Sequence, residues 1–425
     1  MPQQPTERYS HLVHNNSTNA SIQYPMNPWI PLWWSAAFPG YGHCMINSPL
    51  IGFSLIIFEF SINNLAKINQ AIFCSMLGDF EGAIRIIDLR FFYLYIGVYI
   101  FSMFDSYRRC VDMNNNYVLS FRTTAYTKTT KASSGAVNTL HKVSPMTATY
   151  WEMIMPGLGA LYLNHLYSFF FSVISWAVTI AKSRLFVGVY YTCIGNFDKA
   201  KEVVVPQWFL FIPSIYGGYI YFAYSQSVIN NIQYKLSQTQ FLRSEYQNPR
   251  FRLPLPPAEG KQSMYIVASF EHSVAIELAL TELEKMGISK SNLFTLPLQV
   301  RNEKKRIFDS AHYSDGVSFI DLAAILGSAL MLVGGIYGFV LKQGPILWAL
   351  FGLVSGGVLG FLIKWISVKK LPTLDPFGRT RSSEIVMLVR CDAEDDERVK
   401  TILWHNKALG VAAYNSENGA LEEER

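Results

Sequence analysis

A single carboxylate lies near the middle of a long apolar stretch. Glu59 has apolar residues on both sides in the segment PLIGFSLIIFEFSINNLA (49–66). An ionisable side chain at such a position is costly in lipid and is therefore a candidate for function. Two interpretations are open: Glu59 relays a proton or an ion, or it is a protonated carboxyl that bonds a hydroxyl or amide of a neighbouring helix. Glu59 is the candidate intramembrane polar site.

The other residue types that carry chemistry are scattered. The eight histidines form no HExxH or similar ligand motif beyond the pair His11 and His14, and the five cysteines include no CxxC pair. The chain has no GxGxxG loop, Walker A loop, nucleophile elbow or kinase signature. Asp105 and Arg108 are one helical turn apart, which predicts an ion pair. We therefore expect no cofactor, no metal site, no catalytic residues and a function that is not enzymatic.

Membrane helices are the elements that would hold Glu59. Only 16% of the residues are charged, whereas a soluble domain has about 25%. A helix needs about 20 apolar residues to cross the hydrocarbon layer. Segments of that character are 49–66, 91–104 with its flanks, 168–181, 208–224, 320–341 and 345–366. The sequence predicts a mostly α-helical, multi-pass integral membrane protein with about six spans.

Basic residues predict the orientation. Lys and Arg gather after the second span (Arg108 to Lys142) and after the fourth (Lys235 to Lys261), and such residues favour the cytoplasmic side. The N-terminus lacks the basic-then-apolar pattern of a signal peptide. We expect a plasma-membrane protein with its N-terminus and linkers in the cytoplasm. These flanks account for the net charge of +5, so no nucleic-acid partner is predicted.

An internal repeat explains the stretch FPGYGH (38–43). A shift of 117 positions aligns 34–117 with 151–234 without a gap, and brings FPGYG onto MPGLG and GDFEGA (78–83) onto GNFDKA (195–200). The shared turn residues are Pro39, Gly40, Gly42, Pro156, Gly157 and Gly159. His43 falls opposite Ala160, so the motif predicts a turn rather than a histidine site. Whether the short apolar segments 28–38 and 146–155 span, re-enter or lie at the interface is left open.

Each repeat also contains a predicted helix corner. Gly78 and Gly195 suit the left-handed conformation that ends a helix. Asp79 and Asn196 then suit the N-cap of the next helix.

The PGxG turn carries a family resemblance. The segment PGLGALYL (156–163) resembles the start of the two-span modules called TM2-like, and uncharacterised bacterial membrane proteins with an N-terminal PGxGHxYLG segment. The resemblance covers about 30 residues of each repeat and implies no particular activity.

The C-terminal third changes pattern. Strand candidates are 263–270, 292–300, 384–392 and 410–415, helix candidates are 271–288 and 393–409, and a glycine-rich membrane hairpin (317–367) separates the two βαβ halves. Two such halves can pair into one ferredoxin-like sheet. We expect a cytoplasmic α/β ferredoxin-like domain split by a transmembrane hairpin. This order resembles general-stress proteins of the DUF1269 type and the membrane subunit of a bacterial quinol:cytochrome c oxidoreductase.

Small residues mark one face of each hairpin helix. They recur at intervals of four and predict close helix packing, either within the hairpin or against another subunit. These helix-packing residues are Gly334, Gly338, Gly352, Gly356 and Gly360.

The predicted organisation has seven parts: a flexible tail (1–25), membrane repeat 1 (26–117), a Ser/Thr/Lys-rich linker (118–145), membrane repeat 2 (146–234), a linker (235–262), the split domain (263–415) and an acidic tail (416–425). We expect a scaffold, assembly or regulatory subunit that binds the lipid bilayer and a protein partner, with oligomerisation possible. The alternative is a small transporter or channel that uses Glu59.

Overall fold

The computed structural model describes residues 13–16, 19–22, 26–120, 142–247, 263–298, 319–368 and 383–415. The predicted acidic tail and most of both predicted linkers lie outside these ranges. Within the tail 1–25, expected to be flexible, two four-residue strands pair with each other. The linker predicted from residue 235 begins instead as helix, because the preceding helix continues to Tyr246.

The elements in chain order are β1 (Val13–Asn16), β2 (Asn19–Ile22), α1 (Trp29–Ala37), α2 (Tyr41–Met45), α3 (Pro49–Ala66), α4 (Ile68–Met76), α5 (Phe80–Ile86), α6 (Leu89–Ser120), α7 (Pro145–Ile154), α8 (Leu158–Tyr162), α9 (Leu166–Ser183), α10 (Leu185–Cys193), α11 (Phe197–Val203), α12 (Pro206–Phe209), α13 (Phe211–Tyr246), β3 (Ser263–Phe270), α14 (Val274–Lys285), β4 (Leu293–Pro297), α15 (Phe319–Gly338), α16 (Gly344–Val368), β5 (Ile385–Asp392), α17 (Asp396–His405) and β6 (Gly410–Asn415).

The chain forms two compact units. The membrane unit comprises Met1–Thr139, Val143–Asn230 and Phe308–Pro372, and the α/β unit comprises Leu140–Lys142, Asn231–Ile307 and Thr373–Arg425. Helix α13 therefore contributes its first half to the membrane unit and its second half to the α/β unit.

Four helices of the membrane unit are long and apolar enough to cross a bilayer: α3, α9, α15 and α16. Two further spans are possible. One would consist of α5 and α6, and the other of α11 with the two helices that follow it, α12 and α13. These pairs are bent by 96° and 86°. The described residues thus contain four to six candidate spans, and the predicted number of six is the upper limit.

Backbone features recur 117 positions apart along the membrane unit. The left-handed residues of the first half each have a counterpart at that distance: Gly40 and Gly157, Asn47 and Asn164, Lys67 and Arg184, and Gly78 and Gly195. Helices α3 and α9 each have 18 residues, and their C-cap residues are Lys67 and Arg184. The bends after α5 and after α11 also lie at matching positions.

The segments predicted at 28–38 and 146–155 form short helices. Helix α1 has nine residues and α7 has ten. At about 1.5 Å of rise per residue, each is about half the length needed to cross the hydrocarbon layer.

The α/β unit is built on an antiparallel sheet in the order β4-β5-β3-β6. Alternate residues of each strand face a core that also contains apolar residues of α14 and α17. Ile266, Met387 and Leu293 are fully buried in that core. The second half of α13 joins it through Leu242 and Tyr246.

The predicted elements of this unit are shorter in the structure. The helix predicted at 271–288 extends from Val274 to Lys285, and the strand predicted at 292–300 is described from Leu293 to Pro297. The acidic start of the helix predicted at 393–409 forms a separate short turn before Asp396.

Candidate intramembrane polar site

Glu59 is enclosed by protein. Its side chain lies on α3 and the residue is 3% exposed. The amide of Asn63, one helical turn later, donates a hydrogen bond of 2.7 Å to the Oε1 atom of Glu59. Tyr95 of α6 interacts with the same carboxyl. The carboxyl therefore faces polar groups of its own helix and of a neighbouring one, rather than lipid.

A network of amides continues from Asn63. The Asn63 amide also donates to the Oδ1 atom of Asn69 (3.1 Å), and the Gln207 amide donates to the Oδ1 atom of Asn63 (2.9 Å). The side-chain amide of Asn69 donates a hydrogen bond of 3.0 Å to the backbone carbonyl of Gln207. Gln207 lies in α12, so the network ties the break between α3 and α4 to the second half of the membrane unit. It satisfies backbone groups that the break leaves without helical partners.

Among the side chains of this network, the carboxyl of Glu59 is the ionisable one. The amides of Asn63, Asn69 and Gln207 do not titrate. A shift of 117 positions places Trp176 opposite Glu59, so the second half of the membrane unit does not duplicate the carboxyl. The geometry allows either a proton site or a purely structural hydrogen-bond network.

A second polar cluster contains the histidine of FPGYGH. His43 is fully buried, and its Nε2 atom lies 3.2 Å from the Oδ2 atom of Asp105. Arg108 and Arg109 each donate a hydrogen bond of 2.6 Å to the same carboxylate. The ion pair predicted between Asp105 and Arg108 is present. The sequence analysis did not assign a partner to His43, because the two residues are 62 positions apart.

The turn after α7 is held by a carboxylate that the sequence analysis did not identify. Glu152 accepts hydrogen bonds from the backbone N–H groups of Gly157 (2.7 Å) and Gly159 (2.8 Å). These glycines belong to the motif MPGLG. Ser35 occupies the position 117 residues before Glu152. A carboxylate four residues before a PGxG motif is a sequence signal for a partner of the N–H groups of the turn.

The glycines of the PGxG turns lie where a side chain would be strained or would clash. Gly40 and Gly157, which follow Pro39 and Pro156, have φ values of 102° and 105°. A Cβ atom on Gly40 would lie 2.3 Å from the carbonyl oxygen of Gly52 in α3. The turn therefore lets α2 approach the following helix closely.

The second glycine of each motif lies against the preceding short helix. A Cβ atom on Gly42 would lie 2.1 Å from the carbonyl oxygen of Pro31 in α1, and one on Gly159 would lie 2.6 Å from that of Ala148 in α7.

The predicted helix corners have side-chain caps. Gly78 and Gly195 have φ values of 86° and 77°. Asp79 accepts a hydrogen bond from the N–H of Gly82, and Asn196 accepts one from the N–H of Lys199.

The hairpin glycines lie at the contact between α15 and α16. Cβ atoms added to them would lie between 2.0 and 2.5 Å from backbone atoms of the facing helix. This applies to Gly334, Gly338, Gly352, Gly356 and Gly360.

The α/β unit holds a partly buried ion pair of its own. Glu384 accepts hydrogen bonds from the Lys235 ammonium and from the backbone N–H of His272, both of 3.0 Å. Burial opposes ionisation of Glu384, but these two donors outweigh it and lower the pKa of the carboxyl. Burial, helped by nearby aspartates, raises the pKa of the Cys391 thiol to about 12, so this thiol stays protonated.

No group of three or more metal-ligating side chains occurs among the described residues. His11 lies outside them, and the structure describes only the backbone of His14. Comparison of the chain with protein-family models, with curated proteins and with solved structures finds no match.

Proposed function

We propose that this protein is a non-enzymatic, multi-pass membrane protein that serves as a scaffold, assembly or regulatory subunit, and that its α/β unit binds a protein partner. The observation that carries the proposal is the outer face of the sheet. Several residues that alternate with the core residues of β3, β4 and β5 are also apolar, yet they do not belong to the core. They are Val267, Leu296, Val386 and Leu388.

This outer face has the character of a binding surface. Leu296 is 44% exposed, and the other three are half-buried. A solvated sheet face normally alternates apolar core residues with polar ones. A contiguous apolar patch on a soluble surface more often marks a contact with another molecule.

The strand order supports a ferredoxin-like fold for the α/β unit. The first strand of the α/β unit, β3, lies between the third (β5) and the fourth (β6), and the second (β4) lies at the edge beside β5. A ferredoxin-like sheet has this arrangement. We propose that α15 and α16 are a membrane hairpin inserted between its two halves, as in the DUF1269-type and oxidoreductase-subunit proteins that the sequence resembles.

The recurrence at 117 positions supports a tandem repeat. Left-handed residues, helix ends, N-caps and bends all match at this distance. We propose that each half is one copy of a TM2-like membrane module of bacterial type, and that the glycines between α15 and α16 form a glycine zipper. The basic flanks support placing the termini and the α/β unit in the cytoplasm.

Purification from native membranes tests the partner. The full-length protein is extracted in a gentle detergent, and co-purifying proteins are quantified by mass spectrometry. Leu388→Lys on the outer face should remove a stoichiometric partner, because a buried charge in an apolar contact is costly. Leu278→Lys is the matched control, since Leu278 is 52% exposed on α14.

Hydrogen exchange of β5 in both variants checks that the α/β unit remains folded. The proposal is wrong if the wild-type protein purifies without a stoichiometric partner. It is also wrong if both variants lose the partner equally while β5 stays protected.

A transport function is the second candidate, and the burial of Glu59 favours it. A titratable carboxyl inside a candidate span is a common feature of proton and ion pathways. In proteoliposomes, Glu59→Gln should abolish a proton or cation flux that Glu81→Gln preserves, because the Glu81 side chain is 93% exposed. Absence of flux in the wild-type protein for protons and common cations would exclude this candidate.

A further inference from the structure

The membrane unit contains a cavity between its two halves. It is bounded by α2, the first turns of α3 and α9, and the middle of α13, and it encloses about 50 Å³. Asn47 and Pro49 are exposed at its mouth, whereas Tyr41, Ser172 and Tyr219 are buried in its wall. A water molecule needs about 10–15 Å³ of such space. The cavity therefore has room for a small polar group but not for an acyl chain.

The lining combines aromatic rings with hydrogen-bonding groups. Phe53 and Phe171 stack with their ring centroids 4.4 Å apart. Tyr41, Ser172 and His165 contribute polar atoms. Among the described residues, no Asp, Glu, Lys or Arg lines the cavity. A charged group that entered it would lose its hydration without gaining a counter-ion, which is strongly unfavourable.

One of these polar groups is poorly paired. The buried Tyr41 hydroxyl faces the hydroxyl of Tyr219, which is itself bonded to Ser175. No hydrogen bond of normal geometry from a described residue satisfies Tyr41. A buried hydroxyl without a partner costs about 1–3 kcal/mol. A ligand hydroxyl or carbonyl in the cavity would remove that cost.

The position of the mouth indicates where the ligand comes from. Candidate spans α3 and α9 both begin beside the cavity, at Pro49 and Leu166. Span ends lie at the level of the lipid headgroups. A group that enters here from the bilayer would be a lipid headgroup, with its acyl chains remaining outside.

We propose that this cavity binds the headgroup of an uncharged lipid that carries a free hydroxyl, of the diacylglycerol class. The glycerol hydroxyl bonds Tyr41 and neighbouring hydroxyls, and the aromatic rings pack against the glycerol carbons. This site is independent of the partner surface on the α/β unit and of Glu59.

Alkylation at the mouth of the cavity tests the proposal. The variant Pro49→Cys places a thiol there, because Pro49 lines the cavity and is exposed. The full-length variant is placed in nanodiscs of dioleoylphosphatidylcholine with or without dioleoylglycerol. N-ethylmaleimide labelling of each cysteine is followed by mass spectrometry. When dioleoylglycerol is ten times its half-saturating fraction, labelling at position 49 should slow about tenfold. Labelling of Cys193, which is exposed outside the cavity, should not change.

Two lipid controls and one variant complete the test. Dioleoylphosphatidate, which has the same chains and a charged head, should not protect position 49, and free glycerol should not protect it either. Tyr41→Phe should lose the protection while keeping the melting temperature of the wild-type protein, because no internal hydrogen bond of normal geometry is removed. Tyr190→Phe, at an exposed position outside the cavity, is the matched control and should keep the protection.

Three results would overturn the proposal. Equal protection by dioleoylphosphatidate would show that the site does not select an uncharged head. Protection by glycerol alone would assign the cavity to a soluble polyol rather than a lipid. Full protection in the Tyr41→Phe variant would show that this hydroxyl does not bind the ligand.

Discussion

At the scale of single residues, the carboxylate of Asp105 contacts three basic side chains. Its carboxylate is almost fully buried, faces His43 and accepts bonds from both Arg108 and Arg109. The two arginines are half-exposed and keep part of their hydration. Asp105 therefore links the turn that contains His43 to α6. Its carboxylate contacts the partly hydrated guanidinium groups of Arg108 and Arg109 and the buried imidazole of His43.

Removal of this carboxylate should be costly. Asp105→Ala leaves His43 without its partner and two arginines without a buried anion, so we expect a loss of about 2–3 kcal/mol in the free energy of unfolding. Asp112→Ala is the control, because the Asp112 side chain is 58% exposed and bonds Arg108 at 3.4 Å; its effect should be about 0.5 kcal/mol or less. Denaturant titration in detergent micelles measures both, and similar effects for the two variants would contradict the prediction.

Glu384 should make the α/β unit sensitive to acid. Its pKa is lowered in the folded protein, so its stabilising contribution is present above the pKa of the unfolded carboxyl, about 4.3. It is lost as the pH falls through the lower folded value. Glu384→Gln should destabilise this unit by about 1–2 kcal/mol at pH 7. The difference in stability between the variant and the wild-type protein should disappear at low pH, where the carboxyl is protonated.

Hydrogen exchange of β5, corrected for the intrinsic pH dependence of exchange, provides the measurement. Glu394→Gln, at an exposed position after the same strand, is the control. A difference between Glu384→Gln and the wild-type protein that stays constant from pH 7 to pH 3 would show that the ionised carboxyl is not responsible.

At the scale of elements, left-handed glycines have different structural roles. All three have a positive φ. A Cβ atom added to Gly40 would lie 2.3 Å from the carbonyl oxygen of Gly52, one added to Gly157 would lie 2.8 Å from the Val173 side chain, and one added to Gly78 would meet nothing within 4 Å. Substitution by alanine should cost about 1–2 kcal/mol at Gly78, where only the backbone is strained.

The loss in the free energy of unfolding on substitution by alanine should increase from Gly78 to Gly157 to Gly40, because steric contacts are added to the same backbone strain. For Gly40→Ala we expect more than about 3 kcal/mol, since α2 must move away from α3. Thermal unfolding of the three variants gives the order. Equal melting temperatures would show that the positive φ alone sets the cost.

Adjacent glycines of α16 offer a sharper comparison. A Cβ atom on Gly356 would lie 2.3 Å from the carbonyl oxygen of Leu326, whereas one on Gly357 would meet nothing within 4 Å. Gly356→Ala should lower the free energy of unfolding by about 1–3 kcal/mol. Gly357→Ala should leave it unchanged or raise it by up to about 1 kcal/mol through helix propensity. Unfolding in detergent measures both, and equal effects would mean that the hairpin contact is not decisive.

At the scale of the whole molecule, exposed apolar side chains indicate lipid. Leu350, Phe351 and Val354 of α16 are between 54% and 64% exposed. In water such a surface would be unfavourable, whereas in a bilayer these side chains contact acyl chains. The membrane unit therefore needs no further protein to cover them.

Both four and six spans place the two chain termini on the same side of the membrane. With the termini on the cytoplasmic side, as proposed from the basic flanks, protease digestion of sealed, inside-out vesicles that carry distinct N- and C-terminal tags should remove both tags. Right-side-out vesicles, in which both tags should survive, are the control. Removal of only one tag would mean that just one of the two bent pairs crosses the membrane.

Local features of this protein follow from short stretches of the chain. Apolar segments of sufficient length predicted α3, α9, α15 and α16, and the strand candidates 263–270 and 384–392 match β3 and β5 to within a residue. The glycine–aspartate and glycine–asparagine pairs predicted the corners at Gly78 and Gly195. These features depend on neighbouring residues, whose propensities and spacing are visible along the chain.

Contacts between distant residues depend on how the helices pack. His43 lies 117 positions before Ala160 and its motif predicted only a turn, yet Asp105 contacts it from α6. Glu59 was identified from its apolar surroundings, but its amide network reaches Gln207, far along the chain. The cavity lined by Tyr41 and Tyr219 likewise combines residues of both halves. Such contacts arise when helices pack, and residue spacing alone does not specify them.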